Sequence, residues 1–442
     1  MKKFTLPLLT VFLGLNLFFS ACKTEKQSDI PALLDTAKLG GTEAENANIK
    51  STYNNSIAEL NKNPDDLKPY INLATVFILE GRISGNNNYY ANAAVKMLDK
   101  VLDSHTGNKD LMFQAYSLKS TVELNMHQFK DALETAKKGE AISQYSASIY
   151  GDLVDANVEL GNYDQAVKDC DKMIGIRPDL RSYSRGSYIR QIYGLNGPAI
   201  AAMRMAVEAG EPGSESTEWA RVILGDLYMN TGKLDTAKML YTISLQYRPN
   251  YPYAEMGLAR VATAEKNYNE AMMHTKNAIR TMSEAAFVSY LGELYELKGN
   301  ADSAKQVYSD VIDLMEKSQN DEAKDALIKH NVNREMAMAY MNAGQLDKAE
   351  DYAKKDLAMR PDNIDANNVM AWILFLKKDY AGAKPYADKM MHTNVKNATT
   401  LYEAGAIYAA AGDATKGAEY KQLSQSVSPY VDQRVVNQSK GF

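Results

Sequence analysis

The chain has 442 residues, of which 45% are hydrophobic and 24% charged, with a net charge of −5. That balance excludes wholesale disorder, which goes with low hydrophobicity and high net charge. It also lacks the basic footprint that a nucleic-acid partner requires, so no nucleic acid is expected among its partners.

The chain starts MKKFTLPLLTVFLGLNLFFSAC. Lys2 and Lys3 form a positive start, and Phe4 to Phe19 is a mostly apolar run without charge. At about 16 residues it falls short of the ~20 that span a bilayer as a helix. Ser20, Ala21 and Cys22 follow. This arrangement resembles a bacterial lipoprotein signal, whose pattern is Leu, Ala/Ser, Gly/Ala, Cys; Phe19 stands in place of the Leu. The resemblance implies cleavage before Cys22, diacylation of its thiol and acylation of the new amine. Several acyl chains on one residue make a stable anchor, because each buried CH₂ adds about 0.8 kcal/mol. Cleavage removes two lysines and no acid, so the mature chain is more acidic than the whole. Lys23 after the cysteine, rather than Asp, points to the outer membrane, facing the periplasm.

Residues 1–21 are therefore expected to be a signal peptide, and 22–48 a lipidated cysteine with a flexible polar tether containing Gly40-Gly41. Residues 49–429 are expected to form the folded body, with a helix near Ile49–Asn63 capping its first end. Residues 430–442 are a tail or a second cap.

Between these ends one phrase recurs: a turn, often with Gly, an apolar residue, two polar residues and Ala. It reads HQFKDA (His127–Ala132), GNYDQA (Gly161–Ala166), GKLDTA (Gly232–Ala237), KNYNEA (Lys266–Ala271), GNADSA (Gly299–Ala304), GQLDKA (Gly344–Ala349) and KDYAGA (Lys378–Ala383). Looser copies end at Ala93, Ala202 and Gly417. The steps from Ala132 through Ala166, Ala202, Ala237, Ala271 and Ala304 are 34, 36, 35, 34 and 33 residues. A 45-residue step then leads to Ala349, followed by two of 34. Twelve residues before the anchors stand Gly225, Ala259, Gly292, Ala337, Ala371 and Gly405, which would let two helices approach closely. Three further on are Tyr228, Tyr295, Tyr340 and Tyr408. Twelve after the anchors are Pro178, Pro249, Pro361 and Pro429, which end a second helix. Leu234, Ala237, Leu240, Tyr241, Ser244 and Leu245 follow helical spacing, and strand-like alternation is absent.

A period of 34 with these residues resembles the tetratricopeptide repeat (TPR) family from about residue 49 to 429. The resemblance implies an all-α fold: a right-handed superhelical α-solenoid of about ten helix-turn-helix repeats, with the first helix of each pair on the inner, concave face. Some units depart from the pattern. Arg190 replaces the small residue before Ala202, so that pair is expected to be splayed or shifted. RISGNNN (Arg82–Asn88) and SQNDEAKD (Ser318–Asp325) supply the surplus in the long steps.

Carried over from the family, the inner face includes Trp219, Asp226, Tyr253, Met256, Arg260, Glu293, Asn331, Arg334, Asn368, Trp372, Phe375 and Tyr402, as candidate protein-binding residues. Both tryptophans of the chain fall in this set, and Trp and Arg are favoured binding anchors. The same rings could equally pack between neighbouring pairs. The family's clamp for a C-terminal carboxylate uses Lys and Asn; Val222 with Asp226, or Met256 with Arg260, do not match it.

Chemistry is sparse. No two of His105, His127, His274, His330 and His392 lie within a helical turn, and the Zn-protease, P-loop and nucleophile-elbow spacings are missing. Cys170, on an apolar helix face, reads as a small buried hydrophobe. The chain is thus expected not to be an enzyme and to use no cofactor or metal. It reads as a lipid-anchored adaptor for proteins or peptides of the cell envelope. The competing reading is a glycan or peptide receptor of an outer-membrane uptake system.

Overall fold

The computed structural model describes residues 30–34, 41–321 and 326–442, so the expected signal peptide and Cys22 lie outside the described residues. Contacts group residues Leu34–Phe442 into one compact unit. The unit Leu34–Phe442 is an all-α solenoid, and no strand occurs among the described residues.

A single helix α1 (Glu43–Lys62) comes first, opened by a capping box between Thr42 and Glu45. Ten helix pairs follow. They are α2 and α3 (Lys68–Ser84, Asn87–Leu102), α4 and α5 (Lys109–Asn125, Phe129–Ile142), α6 and α7 (Ala147–Glu159, Tyr163–Ile176), and α8 and α9 (Leu180–Ile192, Asn196–Glu208). Next come α10 and α11 (Glu215–Asn230, Leu234–Tyr247), α12 and α13 (Pro252–Ala264, Tyr268–Thr281), and α14 and α15 (Ala285–Leu297, Ala301–Asp321). The last are α16 and α17 (Asn333–Asn342, Leu346–Met359), α18 and α19 (Ile364–Leu376, Tyr380–Met390), and α20 and α21 (Ala398–Ala410, Ala414–Val427). A short helix α22 (Gln433–Gln438) ends the chain.

The recurring phrase builds each pair. Its first residue takes a left-handed conformation, at Gly161, Gly232, Gly299 and Gly344, and at His127, Lys266 and Lys378 despite their side chains. The chain thereby reverses between the two helices. The anchor alanines Ala132, Ala166, Ala237, Ala271, Ala349 and Ala383 are fully buried. Opposite them, the small residues permit close approach. A Cβ on Gly225 would sit 2.5 Å from the Tyr241 ring, and one on Gly292 would sit 2.5 Å from the Tyr308 ring. Tyr340 and Tyr408 fill the adjacent space and are 1% exposed.

One pair corrects the expected register. The left-handed residue before α9 is Gly194, which places the anchor at Ala199 rather than Ala202. Ala199 is fully buried, and twelve residues before it stands Ser187, not Arg190. The Ser187 hydroxyl donates to the Ala199 carbonyl at 2.8 Å, so the two helices meet closely and the pair is not splayed. Arg190 turns back along its own helix, donating to the Gly186 carbonyl. The 45-residue step is absorbed partly by the 21-residue helix α15 and partly by residues 326–332 beyond it.

Contacts about 200 residues apart run along the solenoid. The turns inside early pairs rest on the loops between later pairs. The Asn331 amide donates to the Met126 carbonyl, and Gln128 Nε2 to the Lys329 carbonyl at 2.7 Å. Arg360 Nη1 meets Glu159 at 2.5 Å, and the Ile364 amide donates to the Tyr163 hydroxyl at 2.8 Å. Asn196 donates to the Lys396 carbonyl, and Pro429 lies against Gly232. At the start, Arg248, 2% exposed, reaches Glu45 of α1 at 2.9 Å. With a repeat of ~34 residues, this offset corresponds to about six pairs. The solenoid therefore coils onto itself after about six pairs, and a continuous seam joins the two passes.

Candidate protein-binding surface

Successive first helices pack directly on one another, α4 on α6, α6 on α8, α8 on α10, α10 on α12, α14 on α16, α16 on α18 and α18 on α20. Successive second helices do not pack to the same degree. A stack that touches more on one side curves towards it, so the first helices line the inner side.

Polar bridges cross between neighbouring first helices. Ser120 donates to Asp152 at 2.6 Å, and Arg185 clasps Asp155 through Nε and Nη2. Asp226 accepts from Arg260 Nη2 and from the Tyr241 hydroxyl, each at 2.5 Å. The Tyr290 hydroxyl donates to Thr263 at 2.7 Å, and Asn368 Nδ2 donates to Glu403 at 2.8 Å. Burial pushes the carboxyls of Asp152 and Glu403 up to about 7, partly opposed by the hydrogen bonds from Ser120 and Asn368. Burial also raises Glu293, against the pull of the Arg434 guanidinium.

The expected binding residues fall into distinct settings. Trp219, 37% exposed, and Tyr253 line one cavity of about 230 Å³, together with Phe77, Arg82 and Tyr90 of the first pair and Glu284. The Tyr253 hydroxyl donates to Glu284 at 2.9 Å. Asp226 and Arg260 form the ion pair just described. Asn331 and Arg334 line a second cavity of about 220 Å³ at the seam, beside Glu159, Asp356 and Arg360. The Nε of Arg334 is buried without a hydrogen-bond partner among the described residues. Met256 is buried in a cluster with Ala278, Met282 and Phe287, so it offers nothing to a ligand. Trp372 and Phe375 stack at 4.6 Å and are 4% and 3% exposed. Tyr402 lies under Lys421 Nζ, 5.0 Å from the ring centre.

Glu293 is paired with Arg434 of the C-terminal helix at 3.1 Å, and Trp372 Nε1 donates to Gln438 at 3.3 Å. Sequence reasoning did not find Asp152, Asp155, Arg185, Tyr290, Glu403 or Arg434. A signal was present for several: isolated charges inside otherwise apolar first helices, as in ASIYGDLVDANVE. Cys170 is 3% exposed in an apolar cluster, and burial pushes its thiol up to about 11. Among the described residues no group of three or more His, Cys, Asp and Glu is placed to hold a metal ion. No described helix is long and apolar enough to cross a membrane.

Residues 147–180, which span α6 and α7 and reach the start of α8, match the tetratricopeptide repeat family model. The chain is similar to tetratricopeptide-repeat proteins. The human IFIT1 dimer with m7Gppp-AAAA shares 13% identity, covering 87% of this chain and 86% of that one, with a TM-score of 0.45. PilW, a widely conserved type IV pilus biogenesis factor, shares 14% identity over 49% of this chain and 97% of its own, at 0.39. TTC0263, a thermophilic TPR protein of Thermus thermophilus, shares 19% identity over 46% of this chain and 100% of its own, at 0.38. No curated protein matches the sequence.

Proposed function

We propose that this chain is a scaffold for protein–protein interactions, held in the bacterial cell envelope by acyl chains on Cys22. The observation that carries the scaffold reading is the continuous inner side made by the first helices. It presents side chains at a repeat of about 34 residues, a geometry suited to extended peptides or partner helices. Trp219 and Tyr253, beside the first cavity, are its best anchors, since aromatic side chains in partly enclosed sites contribute most to binding. The absence of catalytic spacings from the sequence supports a role in holding rather than transforming molecules. The anchoring part rests on the order Lys2-Lys3, apolar run, Ser20-Ala21-Cys22. Lys23 supports an outer-membrane position on the periplasmic side.

Two measurements test this. The native chain, retrieved from detergent-solubilised membranes, should bring down a defined set of envelope proteins, and Trp219→Ala should reduce their recovery by roughly tenfold or more. Retrieval of the chain alone from every membrane preparation would refute the scaffold. Cys22→Ser should abolish incorporation of labelled fatty acid and release the chain from the membrane; unchanged labelling would refute the anchor.

A further inference from the structure

The inner side of the last four pairs is already occupied by the chain's own end. After Pro429 the backbone turns inward, and the Asp432 amide donates to Thr399 of α20 at 3.2 Å. Arg434 then enters a cradle of carboxylates and amide: Glu293 at 3.1 Å, Glu296 at 3.9 Å and Asn342 Oδ1 at 3.3 Å. Val435, 5% exposed, inserts into the core cluster shared by α16, α18 and α20. Gln438 takes the Trp372 indole N–H. The Phe442 ring lies 5.7 Å from Phe375 and 5.1 Å from Tyr380.

These contacts come from a short segment that follows the last helix pair. Its helix has six residues, too few to be stable alone. Its order therefore derives from the groove, as the order of a bound peptide would. Recognition is divided as in a helix-in-groove complex: an Arg in a carboxylate fork, an aliphatic side chain in the core, and an aromatic ring on an aromatic face.

We propose that the inner face of α14, α16, α18 and α20 is a docking site for a basic segment of a partner protein, helical through its Arg and the hydrogen-bonding residue and then turning to present its aromatic ring, and that residues 430–442 are its resident competitor. The partner segment carries an Arg, a β-branched residue next to it, a hydrogen-bonding side chain four positions after the Arg, and an aromatic residue eight positions after it. This is the register of Arg434, Val435, Gln438 and Phe442. The inference rests on the scaffold reading and adds the site, the ligand chemistry and a means of control. With the tail in place, Glu293 and the Trp372 indole N–H are satisfied and Phe375 is covered. A partner must displace the tail, whose effective concentration is of millimolar order for a short tether.

The test uses the full chain in two forms, native and Arg434→Glu/Val435→Asp, which weakens the resident segment. The probe is a fluorescent peptide of the sequence YVDQRVVNQSKGF, residues 430–442. The double variant should bind it at least tenfold more tightly than the native chain, and the same peptide carrying Arg434→Ala should lose most of that binding. Hydrogen exchange of the native chain should show amides 435–439 opening ahead of those of α18 and α20. Equal affinity of both forms, no binding to either, or exchange in step with α18 and α20 would each overturn the proposal. If envelope proteins still co-purify with the native chain in those cases, the scaffold reading stands and only the tail site falls.

Discussion

Gly161→Ala, compared with Gly344→Ala, isolates the contact between the two passes of the solenoid. Both glycines open the same turn of the repeat, with φ of 82° and 72°. Placing alanine in the left-handed region costs about 1–2 kcal/mol at either site. Their surroundings differ. A Cβ on Gly344 meets nothing within 4 Å, whereas a Cβ on Gly161 falls 2.5 Å from the Asp362 carbonyl carbon and 2.8 Å from the Asn363 nitrogen. Those atoms are backbone and cannot rotate away, so the seam must part. Parting it there removes the Ile364-to-Tyr163 bond, the bond from Asn363 Nδ2 to the Glu159 carbonyl and the Arg360–Glu159 pair. At about 1 kcal/mol for each neutral bond and about 1.5–3 for the charged one, the extra loss is about 3.5–5 kcal/mol. Equilibrium guanidinium unfolding followed by circular dichroism measures both variants. Equal destabilisation, within about 0.5 kcal/mol of experimental error, would refute the seam.

Arg360→Met should cost roughly 3–5 kcal/mol, because it strands the carboxylate of Asp356, 3% exposed, which now accepts from Nε at 2.7 Å and Nη2 at 2.9 Å. Adding Asp356→Leu should restore most of that loss, and a double-mutant cycle in denaturant reads the coupling. Ser187→Leu should lose about 1–3 kcal/mol by overpacking the α8–α9 contact while Arg190→Ala stays near 1, a difference visible in Tm; the reverse order would return the anchor to Ala202. Stability should fall as pH rises from 6 to 8. Burial holds Glu123, Asp152 and Glu403 up at about 7, so the folded state keeps protons that the unfolded chain has already released, at about 1 kcal/mol per group across that window. His330 works oppositely, being lowered to about 4 by burial, but only below its ordinary value of 6.5. Glu403→Gln should flatten the slope in a thermal melt taken at each pH.

Helix pairing was legible because it is written locally. Each turn residue, anchor alanine and small partner recurs every 34 residues or so, and each contact they make lies within one pair. The register error at Ala202 arose where that signal is weakest: GLNGPA lacks the apolar-polar-polar order, and Gly197 offers a second turn glycine three residues too late. The seam left no periodic trace. Glu159 and Arg360 look like ordinary surface residues, and Tyr163 like the apolar residue of its own turn; nothing local ties it to a backbone amide 201 residues away. Beyond the surplus at Ser318–Asp325, Ile328 exchanges hydrogen bonds with Asn92 through both its amide and its carbonyl, a pairing that no repeat position announces. Inner-face residues were legible as positions but not as states. Trp219 and Tyr253 share a cavity, whereas Trp372 lies under a tail whose destination no local pattern encodes.

Lysine cross-linking with mass spectrometry on the native chain tests the coiling most directly. Lys130 and Lys329 are both exposed, on opposite sides of the seam, where Gln128 donates to the Lys329 carbonyl at 2.7 Å. A Lys130–Lys329 cross-link within single chains is predicted, and Gly161→Ala should diminish it. Cross-links confined to lysines of the same or adjoining pairs would mean an open coil whose distant pairs never meet.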